Sequence, residues 1–378
     1  MNSLSLKKIV LILFLIGTLS GFGQNIILSK SARTSVITCD TGNESYSLFG
    51  HTAIRISDPE NNLDVVYNYG AFDFSTPNFV VKFAKGDLQY FAIANTFSDF
   101  MNQYTYEQRS VFEQELLIPL AYKQKLFDNL TTVLSTSESY YTYKFIDKNC
   151  TSMVVDMLNK TLGVKIIDKK LDTDKTYRSI LFPYFDNFFY EKLGTSIIFG
   201  TKVDNYSDHI FLPFELKKSL QETQFKNKRL CAQSKTLLEY KKQAPNSWWN
   251  NVYSYLLFLV FILILNKKFI DNFYLLIMGL LGIFFIVMGF YSFHQELAMN
   301  YNVLLFNPAL LVLLYFIVKK NKKWIVNLAV LNGIFLGVYL IMMINKAHFL
   351  VVIPLVLTTL IIVSKIAYKN SKRIPVVI

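Results

Sequence analysis

Charge is scarce in this 378-residue chain: Asp, Glu, Lys and Arg make up 17%, against 52% hydrophobic residues, and the mean hydropathy is +0.30. That balance excludes a disordered chain and a purely soluble protein. Acidic residues are the scarcer sign, 27 against 39 basic, yet the resulting net charge of +12 is unevenly placed. Residues 248–378 hold 11 Lys and Arg against only Asp271 and Glu296, a local +9, and the other 247 residues carry +3. A nucleic-acid partner would require the basic surface on the folded domain. Here the excess lies between apolar runs, where it writes membrane topology. Cysteine (three) and histidine (four) are few, and no Cys/His spacing suits metal ligation, so neither a metal nor another cofactor is expected. Repeats and low-complexity tracts are lacking as well.

What is present divides in three. Lys7 and Lys8 precede the apolar run Ile9 to Ile16, and Gly21-Phe22-Gly23 offers small residues at a cleavage position before Gln24, which predicts a signal peptide over 1–23. Residues 24–247 have the composition of one mixed globular domain. After Trp248-Trp249, an aromatic pair suited to a membrane interface, residues 248–378 contain five apolar runs at about 250–265, 273–293, 303–318, 324–344 and 349–364. An exported N-terminal domain makes the first run cross inward. The inner connections then carry Lys267, Lys268, Lys319, Lys320, Lys322, Lys323, Lys365, Lys369, Lys372 and Arg373, and the outer ones only Lys346. This is the positive-inside bias for a five-helix membrane domain bearing an outward-facing domain.

Within 24–247, Ser47 to Ser57 and Leu63 to Tyr69 flank the turn-forming Asp58-Pro59-Glu60-Asn61-Asn62, which predicts a hairpin with His51 at its start. Tyr141 to Ile146 reads as a further strand. Val154, Met157, Leu158 and Leu162 then share one helical face, placing Cys150 at the head of a helix. The unpaired N–H groups and positive dipole end there favour a thiolate and can hold an acyl oxyanion. An imidazole nearby would act as base toward the thiol and then toward the acceptor. The residues alone leave open a bland reading, a core cysteine and a strand-end histidine.

The order of histidine on a strand and then cysteine at a helix head resembles the circularly permuted papain-like fold of the lecithin:retinol acyltransferase type and its cell-wall amidase relatives. The blocks ITCDTGNESYSLFGHTAIRI, VYNYGAFDF, DKNCTS and SFHQELAMNYNVLLFNP, spread over about residues 33–310, more specifically resemble the Bacteroides-type lipoprotein N-acyltransferase family, Lnb. That resemblance implies an α+β permuted papain-like periplasmic domain on a helical transmembrane domain in the bacterial inner membrane. It implies Cys150 as acyl-accepting nucleophile and His51 as its base, moving an acyl chain from a phospholipid to the N-terminal amine of a lipidated lipoprotein cysteine. A membrane-tethered cysteine amidase or peptidase acting on cell wall, and a non-catalytic envelope scaffold, are the alternatives.

Further candidates are weighed against structural roles. Asn68, on the strand beside His51, is the expected imidazole orienter. Asn149 either faces the site or caps the helix. Cys39 is a second thiol in the site or the disulfide partner of Cys231. Arg55 and Arg178 bind a lipid phosphate or form surface salt bridges. His294, Asn300, Asn302 and Asn307 either line the mouth of the site on the outer side or serve capping and packing. Gly86 reads as a turn and His209 as ordinary loop.

Overall fold

The computed structural model describes residues 26–242, 245 and 247–371. The signal peptide expected over 1–23, and Lys372 and Arg373, lie outside the described residues. Among the described residues the N-terminal half is built on strands β1 (Arg33–Cys39), β2 (His51–Asp58), β3 (Leu63–Ala71), β4 (Gln89–Thr96), β5 (Val111–Glu115), β6 (Tyr140–Thr142), β7 (Gln224–Phe225), β8 (Lys228–Arg229) and β9 (Lys235–Leu238). Seven of them form one antiparallel sheet in the order β6-β4-β3-β2-β1-β5-β9, and β7 pairs with β8. Helices α1 (Phe79–Lys85), α2 (Phe97–Tyr106), α3 (Leu120–Ser135), α4 (Cys150–Leu162), α5 (Tyr177–Leu181), α6 (Phe189–Ile198) and α7 (Pro213–Glu222) surround it.

Alternation along β2 gives the sheet two apolar faces. Ile54 and Ile56 pack with Leu126 and Leu130 of α3 and with Val154 and Leu158 of α4. On the other face Ala53, Ile37 and Val66 meet Phe100 and Tyr104 of α2. The domain is therefore α+β, with a sheet covered on both sides. The strand expected over 141–146 stops at Thr142. Lys144 and Lys148 instead exchange backbone hydrogen bonds of 3.0 Å each, closing a turn that delivers Asn149 and Cys150 to the head of α4.

The second half contains α8 (Val252–Leu265), α9 (Lys268–Tyr291), α10 (Ala309–Val318), α11 (Lys322–Met343) and α12 (Phe349–Ser371). Three of these are long and apolar enough to cross a membrane: α9 with 24 residues, α11 with 22 and α12 with 23. A fourth span exists only if α10 is joined to the bent segment Gln295–Leu304, which meets it at 42°. The 14 residues of α8 rise about 21 Å, short of the roughly 30 Å hydrocarbon core. The run at 303–318 begins in a 3-10 turn, Tyr301–Leu304, and becomes α-helical only after Pro308.

The helices nevertheless alternate between two ends. At one end Asn250 accepts from the Tyr190 N–H (2.8 Å), Phe293 N–H donates to Lys85 O (2.7 Å), and Lys346 reaches Asp204 (2.9 Å), all contacts with the N-terminal domain. At the far end Lys365 bonds Asn266 (3.0 Å) and Asp271 (2.5 Å). The basic connections 266–268 and 319–323 fall at that far end, away from the domain.

The junction gives four of the candidates structural roles. Arg178 binds no lipid phosphate: it is 1% exposed and its Nε donates to Asp204 Oδ1 at 2.7 Å. Asp204 Oδ2 also accepts from Tyr301 Oη (2.6 Å), whose oxygen is 3.2 Å from His348 Nε2. Asn300 does not line the site; its Nδ2 donates to the Ile197 and Ile198 carbonyls at the end of α6 (2.9 and 3.0 Å). Asn302 is fully buried, donates to Ser196 O (3.2 Å) and accepts from Tyr339 Oη (2.7 Å). Arg178 and Asn302 are buried and Asn300 is half-buried, and their polar groups satisfy α6 and the loop after it, as the low dielectric there demands. Asn307 likewise accepts the Ala309 N–H (2.8 Å) at the start of α10.

Candidate active site

The head of α4 is constructed by Asn149. Its Oδ1 accepts from the N–H groups of Thr151 (2.9 Å) and Ser152 (3.0 Å), and Ser152 Oγ accepts the Asn149 N–H in return (2.9 Å). This is a reciprocal cap. Asn149 Nδ2 meanwhile donates to Phe145 O (2.8 Å) and Phe211 O (2.9 Å), tying two loops to the helix head. The cap occupies two of the N–H groups expected to hold an oxyanion. The first-turn donor it leaves open is the Cys150 N–H itself.

Cys150 is half-buried and lines the same cavity as His51, the first residue of β2, near enough that the charge of each acts on the other. Thr52 and Thr151, both fully buried, join β2 to α4 through their hydroxyls at 3.0 Å and so fix this approach. Ala53 pairs with Asn68 in the β2–β3 register, which puts His51 and Asn68 on one face of the sheet. His51 Nε2 is 3.1 Å from Asn68 Oδ1, and Asn68 Nδ2 donates to Val66 O (3.3 Å) and Asn95 Oδ1 (3.2 Å). Those donations turn the amide oxygen toward the ring, so Nε2–H donates to it and Nδ1 is left for the thiol.

Burial pushes the Cys150 thiol up, but the His51 imidazole, the Thr52 N–H and the Thr151 hydroxyl outweigh it, and the pKa falls below the ordinary 9.0. Burial pulls His51 down, and the Cys150 charge and the Asn68 bond more than restore it, above 6.5. Each shift favours the charged partner, thiolate for Cys150 and imidazolium for His51. Next to it β3 slips register between Asn68 and Ala71, and Gly70 adopts φ +100°, its would-be Cβ 3.9 Å from Cys150 Cβ. A bulge carried by glycine keeps the strand open beside the sulfur.

Cys150 and His51 open onto a cavity of about 460 Å³ whose walls include Phe49, Phe72, Phe79, Phe83, Tyr90 and Phe145. Tyr90 and Tyr143 stack at 4.5 Å within it. Phe79 and Phe83 come from α1, an element not expected from the sequence, although the run Phe79-Val80-Val81-Lys82-Phe83 carries the signal of a short amphipathic helix. Gly86 is more than a turn: it is the left-handed cap of α1 (φ +75°), and a Cβ there would meet His294 Cδ2 at 2.9 Å. His294 does not reach the sulfur's cavity. Its Nε2 lies 2.9 Å from Phe83 O and its ring tilts against Phe83, so it braces α1 from behind.

The remaining candidates fall elsewhere. Arg55 is no phosphate ligand: it pairs with Asp64 (2.7 Å) and Glu113 (3.0 Å) and stacks 3.3 Å over Phe97. All three cysteines are free, so no disulfide joins Cys39 to Cys231. Cys39 points into the α2 side of the sheet, where burial pushes its thiol up to about 12; burial pushes Cys231 up to about 11. His209 is a loop residue with work to do, since its Nδ1 lies 2.8 Å from Tyr177 Oη and its Nε2 3.4 Å from Ile146 O, in the loop before Cys150. Among the described residues no cluster of three metal-ligating side chains occurs.

Two family models match the chain: the Lnb N-terminal periplasmic domain over residues 22–182 and the Lnb transmembrane domain over residues 250–373. No curated protein and no solved structure matches it.

Proposed function

Since the chain belongs to the Lnb family, a periplasmic N-terminal domain followed by a transmembrane domain, we propose that it is a lipoprotein N-acyltransferase working through a Cys150 thioester. The observation that carries this reading is the half-buried Cys150 thiol, sharing an aromatic cavity with His51, which is itself bonded to Asn68. Histidine on a strand ahead of cysteine on a helix, with the sheet between two helical layers, supports a permuted papain-like domain.

In the first step the thiolate attacks the ester carbonyl of a phospholipid. The C–S bond forms, the ester C–O bond breaks, and the His51 imidazolium gives its proton to the departing lysophospholipid oxygen. In the second step the amine of a lipidated N-terminal cysteine attacks the thioester, the now neutral His51 takes the amine proton, and the C–S bond breaks to give an amide and restore the thiolate–imidazolium pair. Asn68 keeps the ring in one orientation through both steps. The aromatic cavity holds the acyl chain by apolar burial.

The test uses full-length protein in phospholipid vesicles with a diacylated lipopeptide. Lysophospholipid should appear one for one with acylated N-terminus, and omission of the acceptor should leave an acyl mass on Cys150. Cleavage of cell-wall peptide, with no acyl group ever found on Cys150, would replace this reading with the amidase.

For the membrane half we propose five crossings in the inner membrane, with short α8 spanning by local thinning and the basic far end in the cytoplasm. A reporter active only outside the cytoplasm should signal when fused after Asn300 and stay silent after Asn321. The opposite pattern would overturn this orientation.

A further inference from the structure

Helix α1 has two apolar exposures that point in different directions. Phe79 and Phe83 line the cavity that contains Cys150, whereas Val80 and Val81, 74% and 57% exposed, face away from it. At 100° per residue the apolar side chains 79, 80, 81, 83 and 84 sweep more than half of the helix, and Lys82 and Lys85 occupy the remainder. The preceding loop adds Phe74, 73% exposed, which packs on Phe72 and Phe79.

This apolar surface is continuous with a membrane helix. The last three carbonyls of α1 are bonded by the residues that end α9: Ser292 Oγ donates to Ala84 O (2.8 Å), Phe293 N–H to Lys85 O (2.7 Å), and the His294 ring reaches Phe83 O (2.9 Å). Phe290, Tyr291 and Phe293, 91%, 50% and 54% exposed, stand beside that contact at the end of a 24-residue apolar span. A short helix with an apolar arc, two lysines and an aromatic neighbour at a span's end has the chemistry of an interfacial helix.

We propose that α1 beds in the outer leaflet of the bilayer and forms one jamb of a lateral portal, through which the donor's acyl chain passes from the leaflet into the Cys150 cavity without crossing water. The inference rests on the acyltransferase reading and adds the route and physical state of its donor: a phospholipid still resident in the membrane. Lys82 and Lys85 would stay at headgroup level while Val80 and Val81 contact acyl chains. A chain sliding past Phe79 and Phe83 keeps apolar contact throughout, so the donor ester arrives at the sulfur already oriented.

The experiment compares two donors. Because Val80 and Val81 are exposed, the double substitution Val80→Glu/Val81→Glu removes no core contact. Full-length protein carrying it should release lysophospholipid from phosphatidylethanolamine–phosphatidylglycerol vesicles at least tenfold more slowly than wild type. It should hydrolyse a water-soluble butyrate ester within twofold of wild type, and Val80→Leu/Val81→Leu should keep both rates. Undiminished release from vesicles, or equal loss on both donors, would overturn the portal. Independently, the fluorescence added by Val80→Trp should be quenched by brominated phospholipid, and an unquenched signal would also overturn it. Absence of any lysophospholipid from wild type would instead count against the acyltransferase reading, which the quenching result does not touch.

Discussion

Cys150→Ser is expected to lower lipoprotein acylation at least a thousandfold, and Cys150→Ala to abolish it, with the protein still folded and inserted. A hydroxyl at the same site has no comparable acidity, and the helix head and imidazole that lower a thiol's pKa leave a serine protonated. His51→Ala should cost on the order of 10²–10⁴, the range for loss of a positioned acid–base group. The pH dependence separates the two partners. Cys150 is shifted down from 9.0 and His51 up from 6.5, so each partner supports the charged form of the other. Activity should fall on the acid side as the thiolate is protonated, and on the alkaline side as His51 loses the proton owed to the leaving oxygen. Iodoacetamide labelling read by peptide mass should show Cys150 reacting well below pH 9, and His51→Ala should move that onset upward, because burial then acts on the thiol without its largest counterweight. Cys39 and Cys231, pushed up to about 12 and 11, should stay unlabelled in the folded protein. Labelling of Cys39 in preference to Cys150 at neutral pH would transfer the nucleophile's role.

The second large effect is on stability. Asp204→Ala should destabilise the protein by about 3–5 kcal/mol, the cost of leaving buried partner charges uncompensated. Arg178, 1% exposed, and Lys346 would lose their shared carboxylate, and Tyr301 its acceptor. Asp204→Asn keeps an oxygen acceptor and should fall between Ala and wild type. Burial pushes the Asp204 carboxyl up, but Arg178, Tyr301 and Lys346 pull it down further, so its folded pKa lies below the ordinary carboxylate value of 3.8. A lowered acid means that this stabilisation is fully present above about pH 4 and disappears as pH falls through the folded pKa. Thermal unfolding in detergent at pH 7 and pH 3 should show wild type and Asp204→Ala far apart at the first and closer at the second. Equal melting at pH 7 would show that the junction is held by its apolar contacts alone.

What the sequence made legible was local. Alternation and the Asp58–Asn62 turn predict the β2–β3 hairpin, and four apolar residues at helical spacing locate α4 and hence Cys150 at its first turn. The relation of His51 to Asn68 was not settled, because it depends on the β2–β3 register: Ala53 opposite Asn68 puts both side chains on one face, and a slip of one residue would separate them. Arg55 and Arg178 read as candidate phosphate ligands because their pairing depends on the fold: Asp64 meets Arg55 only once the hairpin closes, Glu113 lies 58 residues from Arg55, and Asp204 lies 26 from Arg178. The apolar runs after Trp249 marked the membrane half, but hydropathy is blind to hydrogen-bond geometry and so missed the 3-10 turn and Pro308 that shorten α10. Helix α1 escaped because seven residues give barely two turns of periodicity, and its end is capped by residues some 200 positions later.

That distance orders the protein's birth. Ribosome and export machinery deliver β1–β9 and the thiol first, while Ser292, Phe293 and His294, which hold the final carbonyls of α1, follow only after the second hydrophobic segment has been made. Until then the Ala84 and Lys85 carbonyls at the end of the cavity wall lack the donors that set their position, and Phe83 O has only the Gly86 N–H. Cys150 thus emerges before the wall of its cavity is fully braced, and the last strut is supplied by the residues that end α9. On the proposed reading, synthesis through residue 294 is what completes the chamber, and a chain truncated before residue 292 would carry Cys150 without these struts.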